Sequence, residues 1–210
     1  NPLIPLVRDE SDEKERKIHL SFYPEGGDLV TGLECNVAFK ATGLDGLGLE
    51  GALVFNDRSD SAFTVHDGMG SFWITSNGSE TVHFITPDGK STRFSLPKAA
   101  KSGYAMIAQS CLDSLLQVSI SRTPDRNGES IALAVTCRGD IIHFEEINDD
   151  NVTLSIDCSS WPIGVCRMTL YDKKGMILSS RSLFHNNEKF RSPTISLKTD
   201  SLSRQPFSKE

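Results

Sequence analysis

The chain has 210 residues, 38% of them hydrophobic and 24% charged, enough for one large or two small soluble domains with ordinary cores. A net charge of −6, with no cluster of Lys and Arg, excludes the broad basic face that nucleic-acid phosphates require. No apolar run reaches the roughly 18–20 residues of a membrane helix, and the five cysteines lack the CxxC or His-linked spacing of a zinc site.

In chain order, residues 1–16 read as a linker. Asn1-Pro2-Leu3-Ile4-Pro5-Leu6-Val7 is too short and too broken by proline for a signal peptide. The charged run Arg8 to Lys17 then offers no apolar face to bury. Both ends look cut, so the expectation is a segment of a longer protein. From Lys17 the pattern has period two, which predicts strands. Ile18, Leu20 and Phe22 alternate with His19 and Ser21, and Val37, Phe39 and Ala41 with Ala38 and Lys40. Further strands are predicted over 51–56, 62–66, 71–76, 81–86 and 91–96. Asp45-Gly46, Asn56-Asp57, Asp67-Gly68-Met69-Gly70, Asn77-Gly78 and Pro87-Asp88-Gly89 punctuate them with residues that favour turns. About seven short strands in one such stretch is the cadence of a β-sandwich.

The polar stretch Pro97 to Gly103 marks a boundary, and the pattern restarts. Strands are predicted from Tyr104 to Ala108, Leu116 to Ile120, and over 130–137, 141–145, 152–157, 165–171 and 177–184, with tight turns at Arg138-Gly139-Asp140 and Asp172-Lys173-Lys174-Gly175. Ala108 to Leu116 holds the sole helical suspicion and is read as a loop or short turn. The expected fold is all-β, two consecutive antiparallel immunoglobulin-like sandwiches. They would occupy residues 17–102 and 103–186, with a tail over 187–210 whose Pro193-to-Lys198 piece could open a further module or add to an edge.

No group of residues announces chemistry, and the expectation is of no catalytic, cofactor-binding or metal-binding residue and no enzyme. His66, Asp67 and Ser71 are close in sequence but fall in a Gly-rich turn, where neighbouring side chains diverge. His19, His83, His143 and His185 stand singly, without HxH or HExxH. Asp149-Asp150-Asn151 and Asn186-Asn187-Glu188 carry calcium-type oxygen ligands without the spacing of a calcium loop. Cys35, Cys137 and Cys166 run in phase with apolar neighbours and read as buried free thiols, with a single disulfide in the second half left open. Trp73 and Trp161, with Phe63, Phe72 and Phe84, read as core or interdomain packing first and as a sugar-stacking platform second. Trp73 is out of phase with Phe72 and Ile74 and is expected to face outward. Asn77-Gly78-Ser79 and Asn151-Val152-Thr153 match the N-glycosylation sequon.

Three stretches of the first half carry a family likeness: Phe22-Tyr23-Pro24-Glu25-Gly26-Gly27-Asp28-Leu29-Val30-Thr31-Gly32-Leu33, the Val37-to-Ala41 strand, and His66-Asp67-Gly68-Met69-Gly70-Ser71-Phe72. The second half adds Trp161-Pro162-Ile163-Gly164-Val165, Thr169-Leu170-Tyr171-Asp172 and Arg181-Ser182-Leu183-Phe184. Together these resemble the tandem macroglobulin-type modules of large envelope proteins in Gram-negative bacteria, over roughly residues 17–186. Where that family tends to show Glu-Arg-Leu, at the site of an ion pair, this chain has Ser180-Arg181-Ser182. The thioester sequence Gly-Cys-Gly-Glu-Gln is absent from this segment, so no protease trapping is implied. Asp60-Ser61-Ala62, Asp113-Ser114-Leu115 and Asp200-Ser201-Leu202 resemble a short O-glycosylation signal of some of the same bacteria. The resemblance implies a periplasmic or cell-surface location and a structural or interaction role within a larger exported protein. Its implied partners are other domains of the same chain, and another envelope protein or a glycan. The rival expectations are a carbohydrate-binding module for nutrient uptake and an accessory domain of an envelope hydrolase.

Overall fold

The computed structural model describes residues 18–56, 59–110 and 114–186. It holds fourteen strands: β1 His19–Pro24, β2 Glu34–Thr42, β3 Ala52–Phe55, β4 Ser61–Phe63, β5 Met69–Thr75, β6 Thr81–Ile85, β7 Ser91–Ser95, β8 Tyr104–Ser110, β9 Leu115–Arg122, β10 Ile131–Cys137, β11 Asp140–Ile147, β12 Val152–Asp157, β13 Gly164–Asp172 and β14 Ile177–His185. All named pairings are antiparallel. The fold is therefore two antiparallel sandwiches in tandem. The first packs the sheet β1-β2-β5 on β4-β3-β6-β7, and the second packs β8-β9-β12 on β11-β10-β13-β14. Strand for strand, the two halves have the same order. The fourth strand of each joins the sheet of its third, sixth and seventh, an immunoglobulin-like plan with the fourth strand moved across from its constant-domain place.

Alternation in sequence becomes alternation in space. Along β2, Cys35, Val37, Phe39 and Ala41 are buried while Glu34 and Ala38 are exposed. The first core gathers Phe39, Phe55 and Phe72 with Leu53, Val82 and Phe84. Phe55 meets Phe72 edge-on at 4.9 Å between ring centres, the arrangement ring quadrupoles favour. Each such fully buried ring contributes roughly 2–3 kcal/mol through the area it removes from water. The second core gathers Met106, Val118, Ile120, Leu133, Val135, Met168 and Leu170 over Trp161. Trp161 is core rather than surface, 4% exposed and edge-on to His185 at 5.8 Å.

Two loops fix the ends of these sandwiches. In the turn between β4 and β5, Gly68 sits at φ +72° and its carbonyl accepts the Ala41 N–H at 2.8 Å. A Cβ there would stand 2.1 Å from the Ala41 carbonyl oxygen, so the turn requires glycine twice over. In the second sandwich the Arg122 side chain is fully buried. It donates to the carbonyls of Asp149, Asp150, Arg126 and Glu129 and lies 5.5 Å from the centre of the Tyr104 ring. One guanidinium thereby ties the β9–β10 loop to the β11–β12 loop.

The helical suspicion over 108–116 resolves into the end of β8 and the start of β9, with Cys111, Leu112 and Asp113 outside the described residues. The expected linker and tail, and Asn187 and Glu188 of the second acidic turn, also lie outside them.

Candidate functional site

Residues grouped by the sequence do not converge on a reacting centre. Asp67 pairs with Lys40 Nζ at 3.1 Å, and this hydrogen bond and charge hold its carboxyl below the ordinary 3.8. His66 closes the turn through Met69, and Ser71 lies on the exposed face of β5. His83 meets Ser91, and His143 meets Glu145, each at 3.2 Å. The Asp149-Asp150 turn spends both carbonyls on Arg122, so the chain supplies its own cation where calcium would be considered. Among the described residues no group of His, Cys, Asp or Glu has the geometry to hold a metal ion.

The site with the most organised chemistry is the junction of the sandwiches, built by the Pro24-Glu25-Gly26-Gly27 turn. This loop follows β1 of the first sandwich and seats in the second, in the seam between β8 and β14. Each is an edge strand of its sheet, paired on one side alone. An open edge presents unpaired N–H and C=O groups, a liability that proteins cover. Here the loop covers it. Glu25 Oε1 accepts the Ala108 N–H at 3.0 Å and an N–H of Arg181, which also donates to the Ala108 carbonyl. The Gly26 carbonyl accepts the Ser180 N–H at 3.1 Å and the Ser179 hydroxyl at 3.0 Å.

Position 26 has no room for a side chain. Gly26 holds φ +90°, and a Cβ would come within 2.5 Å of Ser179 Oγ. Behind the loop, Cys35 Sγ donates to the Glu25 carbonyl at 3.6 Å, and burial pushes that thiol up to about 11. The Glu25 side chain is 8% exposed against 25% for Arg181, so this ion pair is largely withdrawn from water. A second contact flanks it: the Ala100 N–H donates to the Leu29 carbonyl at 2.8 Å and the Thr31 N–H to the Ala100 carbonyl at 2.9 Å. This parallel bridge between Val30 and Ala100 ties the same loop to the segment joining β7 and β8.

Beside the junction a groove of about 210 Å³ opens between the outer faces of the three-stranded sheets, lined by Glu34, Trp73, Ile107, Gln109, Gln117, Ser119 and Ser121. Trp73 is 40% exposed, facing outward as its phase predicts. Asn36, its register partner across β2 and β5, has a buried Oδ1 with no hydrogen-bond partner among the described residues.

The Glu25–Arg181 pair is the feature sequence reading missed. No acid neighbours Arg181 in Ser180-Arg181-Ser182, and its partner lies 156 positions away. The available signal was a lone carboxylate inside Phe22-Tyr23-Pro24-Glu25-Gly26-Gly27, a turn whose glycines free its backbone for close approach.

No protein-family model matches the chain, and no curated protein matches it. Solved structures with some likeness include invasin, a bacterial integrin-binding protein, at 16% identity over 81% of this chain and 39% of that one, TM-score 0.32. Domains 5-6 of the S-layer protein SbsC match at 12% identity over 80% of this chain and 97% of that one, TM-score 0.35. The fibronectin(III)-like modules of Clostridium thermocellum CbhA match at 10% over 86% and 100%, TM-score 0.27. The chain spans 39% of the invasin chain and 30% of a biofilm-associated protein's. At such low scores the likeness decides nothing about role, and the architecture rests on the strand pairing itself.

Proposed function

We propose that the chain is a non-enzymatic structural and interaction segment of a larger exported envelope protein. In this reading two macroglobulin-type domains, dividing near Gly103, stack in a fixed orientation and carry or present what adjoins them. The observation that carries it is the Glu25-Gly26 loop. It closes the open seam of the neighbouring sandwich with a withdrawn ion pair and three further hydrogen bonds, more than a passive tether between domains requires. The macroglobulin assignment and a periplasmic or cell-surface location in a Gram-negative bacterium are supported by the Phe22-to-Leu33 and His66-to-Phe72 stretches. The partners are other domains of the same chain or another envelope protein. Amide residual dipolar couplings test the stacking: a single alignment tensor should fit both sandwiches. Tensors of different magnitude would mean that the two reorient independently, and the proposal would fail.

One observation favours a second reading. The groove at Trp73 sets an exposed indole beside two Gln amides, two Ser hydroxyls and a carboxylate, the mixture of stacking and hydrogen-bonding groups that a neutral saccharide uses. Binding to a glycan panel that disappears in Trp73→Ala, with the fold retained, would establish a carbohydrate-binding role. No binding across the panel leaves the structural and interaction reading alone.

A further inference from the structure

The second core contains three cysteines that the junction does not use, Cys137, Cys158 and Cys166, all free thiols and at most 6% exposed. Cys137 ends β10 and Cys166 lies near the start of β13. The antiparallel register sets them directly opposite each other, with both side chains turned into the core. Directly opposed residues in an antiparallel pair have Cα atoms about 4.5 or 5.5 Å apart, and disulfides span roughly 4.4–6.8 Å. On Cα spacing, either alternative is compatible with a disulfide. Each thiol donates to a carbonyl at this end of the sheet, Cys137 to Pro162 and Cys166 to Gly164, both at 3.9 Å. Cys158 is placed differently, because its Sγ donates to the Ser114 carbonyl at 2.8 Å. Cys35 lies in the other core.

We propose that Cys137 and Cys166 form a cross-strand disulfide site, closed when the chain folds in the presence of a disulfide oxidant such as glutathione disulfide. The Cys137 thiolate attacks one sulfur of glutathione disulfide and expels a glutathione thiolate, giving a mixed disulfide. The Cys166 thiolate then attacks the Cys137 sulfur and expels the second glutathione. One S–S bond forms and one breaks. The two cysteines lose two electrons, glutathione disulfide gains them, and the cysteine protons leave on two glutathione thiols. Burial, and then the neighbouring Cys137, push the Cys166 thiol up to about 12 in the folded chain. Thiolate is scarce once the core has closed, so the bond is made during folding rather than after it. The bond would lie within one sheet, unlike the inter-sheet bridge of antibody domains. It needs only the second sandwich to fold, so it stands or falls independently of the stacking proposed above.

The test is refolding of the reduced, denatured chain in a mixture of reduced and oxidised glutathione, then denaturation, alkylation and intact mass. The expected product carries alkyl groups on three of its five cysteines, against five for a chain refolded under reductant. The cross-link should persist in Cys158→Ser and vanish in Cys137→Ser and Cys166→Ser. The oxidised second sandwich should melt on the order of 10 °C higher than the reduced one. Five alkylated cysteines after oxidative refolding, or a cross-link that survives Cys166→Ser, would overturn the assignment.

Discussion

Arg181→Ala should loosen the junction and leave each sandwich folded. The substitution strands the Glu25 carboxylate in a seam where its side chain is 8% exposed, with the Ala108 N–H as its remaining donor. Removing one partner of a fully buried pair costs about 3–5 kcal/mol, and of an exposed pair about 0–1. Arg181 is itself 25% exposed, so water can enter as it leaves, and the expected cost is about 2–3 kcal/mol. A loss of that size lowers the docking equilibrium by roughly 30- to 150-fold. Glu25→Ala should cost a similar amount, and the double variant little more than either single one, because both lose the same contact. Urea unfolding of the wild type, both single variants and the double variant gives the coupling energy directly, expected at about 1.5–2.5 kcal/mol. A coupling near 0.5 kcal/mol or less would make this an ordinary surface pair and refute the reasoning.

Other consequences are as specific. Gly26→Ala should weaken docking by about 1–3 kcal/mol, since both its φ and Ser179 oppose a Cβ, whereas Gly46→Ala, at φ +78° with open space around it, should cost only about 1 kcal/mol in denaturant titrations. Arg122→Met should destabilise the second sandwich by about 3–5 kcal/mol, by taking the guanidinium from four loop carbonyls, of which the Arg126 carbonyl keeps the Glu129 N–H; hydrogen exchange should rise over 124–130 and 148–151 and stay unchanged in the first sandwich. The Asp67 carboxyl is held below 3.8 by Lys40, so its contribution to stability is present above that pH and is lost as pH falls through the lower folded value; carbon-detected NMR titration should find it moved back up in Lys40→Ala. Burial, and then the Glu129 hydrogen bond, push the Tyr104 hydroxyl up to about 12. Its contribution is present below pH 10 and is lost as pH rises from 10 towards 12, and ultraviolet titration should show a late tyrosine ionisation that Tyr104→Phe removes.

The strands were legible in the sequence because a half-buried strand must alternate, and residues such as Cys35, Val37, Phe39 and Ala41 do so without interruption. The turns were legible because Gly68 and its neighbours need backbone angles that few residues tolerate. Trp73 could be placed outward from phase alone, and Trp161 needed the tertiary packing to place it inward. What stayed hidden depends on which edges meet. Glu25 and Arg181, or the Arg122 side chain and the Asp149 carbonyl, belong to no local pattern, because side-chain chemistry across a seam has no periodicity. Cys137 and Cys166 were each readable as core residues, and their opposition follows only from the register of β10 and β13.

Two amides report on the junction without any substitution. The Ala108 N–H is bonded to Glu25 Oε1 and the Ser180 N–H to the Gly26 carbonyl, each on a strand edge that water would otherwise reach. With the loop seated, both should exchange with solvent deuterium at least a hundredfold more slowly than unstructured amides, and Glu25→Ala should speed both while amides within β10 stay protected. Wild-type exchange of Ala108 and Ser180 at free-chain rates would mean that the loop does not occupy the seam.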